Sequence, residues 1–131
     1  MKAENVTGIV VLTLILIVMF GSLTAAHHSI AGFNNKKEIT MRGTVVEFRW
    51  RNPHILIIWQ AKDASGNAVE WSGEMASPTT MMQLGMSRES LKQGDEIDVS
   101  YHPTLTSERI ALVTKIVRAD GKVIVDRAPV N

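Results

Sequence analysis

The chain has 131 residues, a hydrophobic content of 45% and a formal net charge of +1. That charge points neither to a nucleic-acid polyanion nor to an acidic partner. There is no cysteine, which excludes disulfides, thiolate zinc sites, iron–sulfur clusters and a blue-copper thiolate centre.

The first element is an apolar leader. Residues 9–20 form an uncharged h-region, and Thr24-Ala25-Ala26 puts small residues at positions −3 and −1 before His27. Residues 1–26 are therefore read as an N-terminal apolar helix serving as a signal peptide. An uncleaved membrane anchor is the competing reading. The n-region is weak, with Lys2 opposed by Glu4, and no residue from Val6 to Ala26 is charged. About 20 apolar residues suffice to span a hydrocarbon core. Both readings put residues 27–131 outside the cytoplasm, periplasmic or exported, as a single small domain.

After a polar lead-in the hydrophobic period becomes two. Ile39–Arg51 reads as a half-buried strand, with Val46, Phe48 and Trp50 on one face and Glu47, Arg49 and Arg51 on the other. Asn52-Pro53 breaks it, because proline cannot donate to a ladder. His54–Lys62 is a second strand, apolar enough for both faces to be covered. Asp63–Asn67 is a hairpin loop with Gly66 for a positive φ. Ala68–Met75 is a third strand, with Val69, Trp71 and Met75 on its apolar side.

Ser77-Pro78 opens a helix, with serine as N-cap and proline in the first turn, and Gly85 ends it. Ser87–Lys92 is a further short turn, closed by Gly94. Glu96–His102 is a fourth strand with Ile97, Val99 and Tyr101 inward. Glu108–Arg118 is a fifth, and Asp120-Gly121 turns into a short return over Lys122–Asp126. Three strands, a helix and two strands predict an all-β fold with one short helix: a small five-stranded OB-like Greek-key barrel. An open meander with a packed helix is the alternative.

Several short motifs occur in a fixed order. They are Ala26-His27-His28-Ser29, Gly43-Thr44-Val45, Trp50-x-Asn52-Pro53-His54, Trp71-x-x-Glu74, Ser77-Pro78, Leu91-Lys92-x-Gly94-Asp95 and His102-Pro103. The pattern resembles a family of small exported bacterial proteins known only as a domain of unknown function. The resemblance implies export and a single β-rich domain, and brings no activity with it.

All four histidines, His27, His28, His54 and His102, follow the leader. Cleavage after Ala26 would give His27 a free amine beside its imidazole. That pair can chelate copper, which favours amine and imidazole nitrogen. His54 and His102 sit at strand ends and are the candidates to complete the site, if they converge at a barrel mouth. The plainer reading makes both of them turn residues bonded to nearby carbonyls. Met75, Met81, Met82 and Met86 could offer thioethers to Cu(I), but are read as core. Trp50, Trp59 and Trp71 could form a stacking platform, and are likewise read as core. Arg42, Arg49 and Arg51 are read as a solvated strand face.

No nucleophile–base pair is visible, and an enzyme is not expected. The expectation is an exported barrel that binds copper through His27. The alternative is a membrane-anchored accessory subunit docking on a membrane or periplasmic protein. Intact mass of the natively expressed protein separates the two. Cleavage predicts a mass beginning at His27 and an anchor predicts one beginning at Met1, while full-length protein in the soluble cytosol contradicts export.

Overall fold

The computed structural model describes residues 32–106 and 109–126. The leader, the Ala26–His27 junction, His27 and His28 lie outside the described residues. The elements follow in the order β1 (Ile39–Arg49), β2 (Leu56–Lys62), β3 (Ala68–Glu74), α1 (Pro78–Gln83), β4 (Glu96–Pro103), β5 (Ile110–Arg118) and β6 (Val123–Val125).

The long first strand makes the barrel possible. Along Ile39–Thr44 it pairs with β4, and along Thr44–Arg49 with β2, antiparallel both times. β2 pairs antiparallel with β3, and β4 with β5. A short parallel ladder, Ser72–Glu74 against Ile110–Leu112, closes the circle. The result is a closed, mixed barrel of β1 to β5, and β6 adds a further strand on the far half of β5. The ring is strongly staggered. Leu112 pairs with His102 and Glu74, Glu74 with Leu56, and Leu56 with Arg49, yet Tyr101, next to His102, pairs with Ile39. One circuit therefore climbs β1 by about ten residues, a shear that tilts the strands steeply.

Local signals behave as the sequence predicts. The Ser77 hydroxyl accepts the Thr80 amide at the start of α1, and Gly85 follows the helix with a φ of 85°. Asp63 Oδ1 accepts the Ser65 and Asn67 amides, tying the β2–β3 loop, where Gly66 has a φ of 83°.

Two expectations need correction. A bulge lies between Val45 and Glu47, so Val45 rather than Val46 fills the core before Phe48 and Trp50 resume the inward face. The extra residue reverses the alternation for the first half of the strand. In β2 only one face is fully covered: Ile57, Trp59 and Ala61 are buried, whereas Leu56 and Ile58 are half-buried and Gln60 is exposed.

The core is organised around Trp59, which is 0% exposed. Its indole stacks on Trp71 with centroids 6.0 Å apart, and Tyr101 tilts against both rings. Each such pair contributes about 0.5–1.5 kcal/mol beyond buried area. Two glycines make room for it. A Cβ on Gly43 would lie 2.5 Å from Trp59 Cδ1 and 2.4 Å from the Gln60 carbonyl oxygen. A Cβ on Gly73 would lie 2.8 Å from Trp59 Cζ3 and 2.5 Å from Val113 Cγ2. The indole thus reaches from β1 to β3. Gly43→Ala and Gly73→Ala should each lower unfolding stability by roughly 1–3 kcal/mol through overpacking. Gly43→Ala should be the worse, because its obstacle includes backbone. Unchanged urea midpoints would contradict this packing.

Candidate functional site

The outward faces of the strands bring two of the predicted histidines, His54 and His102, to the end of the barrel where β2 and β5 begin. His54 lies just ahead of β2 in the part of the chain that carries Ile55 into the core, so its own side chain faces out. Leu56 pairs with Glu74 across the β2–β3 ladder. That register brings the Glu74 carboxylate onto His54 Nδ1, with both side chains half-buried. Tyr101 points into the core, so His102 points out, and its Nδ1 lies 2.9 Å from the Lys37 carbonyl oxygen.

A carbonyl oxygen only accepts, so His102 Nδ1 must carry the proton. The same holds for His54 against an ionised Glu74. When the ring is neutral, Nε2 then keeps its lone pair. Metal-binding histidines are commonly oriented this way, by a carboxylate or carbonyl on the other ring nitrogen. Among the described residues the two imidazoles have separate partners, and no three histidine, aspartate or glutamate side chains gather into a metal cage. Glu74 and His102 flank Leu112 on neighbouring strands, which puts their backbones about 10 Å apart at ordinary strand spacing.

The other candidates separate clearly. Met75, Met81 and Met86 are buried in the core, and Met82 is exposed, so the four thioethers share no site. Trp50 and Trp59 are buried, and Trp71 packs against the same cluster. The arginine stripe is largely neutralised. Arg42 holds Asp98 through two hydrogen bonds of 2.8 and 2.9 Å, and Arg49 holds Glu47 through two of 2.6 Å. The Arg42 guanidinium keeps the Asp98 carboxyl below its usual range, and Arg49 does the same for Glu47.

Sequence reasoning did not find Glu74 as the partner of His54. The residues are 20 apart, and only the β2–β3 register joins them. It also did not find a pocket of about 570 Å³ where β1 leaves β2 for β4, with Met41, Gly43 and Ala61 in its wall.

The tautomers can be tested directly. A long-range proton–nitrogen spectrum of the neutral rings should show His54 and His102 protonated at Nδ1. Nε2–H signals for both would contradict the geometry.

No curated protein and no solved structure matches the chain. Residues 15–113 match a family of unknown function (DUF6152), and the span reaches from the apolar N-terminal run through all four histidines into β5. The chain is a member of that family.

Proposed function

We propose that the protein is an exported binding protein that takes up copper at its outer surface, with the mature N-terminus as the primary ligand. One observation carries the reading: both described histidines have Nδ1 turned onto an acceptor, which in the neutral ring keeps the lone pair that a metal needs on Nε2. The remaining donors come from the leader junction. Cleavage after Ala26 makes His27 terminal, and its amine and imidazole together close a chelate. His54 or His102 then supplies a further nitrogen, with His28 next in line. The aromatic packing around Trp59 argues for the same division of labour, since it fills the interior and leaves ligand chemistry to the outside.

This is a binding role rather than a catalytic one. The alternative role, a membrane-anchored accessory subunit, draws on Leu105 and Ile110, two exposed apolar side chains at the ends of the β4–β5 connection.

The test is Cu(II) titration of the processed protein beside a variant with one alanine added ahead of His27. The added residue turns the amine into an amide, so the visible spectrum should change and affinity should fall. His54→Ala or His102→Ala should weaken binding by about tenfold or more, the usual scale for losing a supporting ligand interaction. Affinity should also fall as pH drops below about 8, because protons compete for the α-amine and then for the imidazoles. Identical spectra and affinities for all variants would remove the copper reading and leave the accessory role.

A further inference from the structure

The double duty of β1 opens a gap. Below Thr44, β1 turns to β4, and Ile39–Gly43 have no partner strand on their other side among the described residues. The end of β2 continues with β3 instead, through Ala61 and Lys62. A pocket of about 570 Å³ fills the space between them, within the usual range for a small-molecule site. Met41, Gly43, Ala61 and Ala68 give it an apolar lining.

The charge at its rim gives the pocket a chemical preference. Arg42 is held by Asp98. Lys62 lines the pocket and is in no ion pair among the described residues. Glu96 also lines it, but from the β4 side of β1, whereas Lys62 stands on the β2 side.

We infer that this pocket binds a small amphipathic carboxylate, its apolar body over Met41, Gly43, Ala61 and Ala68 and its anionic head at the Lys62 ammonium. The site is independent of copper. Lys62 is exposed, as is Ala68, so both can be changed without disturbing the core.

Three probes with the same alkyl chain separate the contributions: octanoate, octylamine and octanol, titrated into the isolated protein by calorimetry and tryptophan fluorescence. Octanoate should bind at least tenfold more tightly than either of the others. Lys62→Gln should bring octanoate down to the level of octanol, and Ala68→Leu should weaken all three by occupying the cavity. Circular dichroism of each variant confirms that it is folded. Four results would overturn the proposal: no octanoate binding, octylamine binding as well as octanoate (which would make Glu96 the dominant charge), octanoate binding untouched by Lys62→Gln, or binding untouched by Ala68→Leu.

Discussion

The Trp59 indole, laid across the barrel between Gly43 and Gly73, is the constraint on which the rest of the structure depends. Its two ends meet positions where any side chain would collide, one on β1 and one on β3. The ring is stacked on Trp71 and touched by Tyr101 from β4. Strands β1, β2, β3 and β4 therefore meet at one group of rings, and Val113 of β5 closes on it at Gly73. Interiors at this density do not deform gradually. A chain without cysteine has no covalent cross-link to fall back on, so this packing must hold the domain.

That solidity dictates where binding can occur. With the interior filled, the polar groups capable of chemistry lie on outward faces or at seams. His54 and His102 are held on the outside, each steered by an acceptor on Nδ1. The pocket arises from topology rather than from a hollow core: one strand serves two neighbours, and the stagger of the ring leaves part of its edge open. The two sites differ in chemistry as they do in origin. One presents imidazoles with Nδ1 held by acceptors, and the other an apolar wall with Arg42, Lys62 and Glu96 at its edge.

Much of the fold was legible in the sequence because it rests on local rules. Ile97, Val99 and Tyr101 alternate into the core as period two requires. Ser77-Pro78 starts the helix, and Gly66 and Gly121 sit in turns at positive φ. The illegible parts are non-local. The bulge at Val45–Glu47 changes which valine faces inward, and no residue type announces it. The parallel closure of β3 on β5 depends on the shear of the whole ring. His54 could be singled out as a histidine after a proline break, but its carboxylate partner follows from strand register alone. The pocket was invisible for the same reason, since it lies where β1 changes neighbours.

The most direct test of the central packing is a double-mutant cycle between Gly73→Ala and Trp59→Leu, read by urea unfolding. If the two residues share one space, Trp59→Leu removes part of the clash that Gly73→Ala creates. The destabilisation of the double variant should then fall short of the summed single effects by about 1 kcal/mol or more, within the range for residues in contact. Additive effects would mean that Gly73 is not accommodating the indole, and would contradict this account of the core.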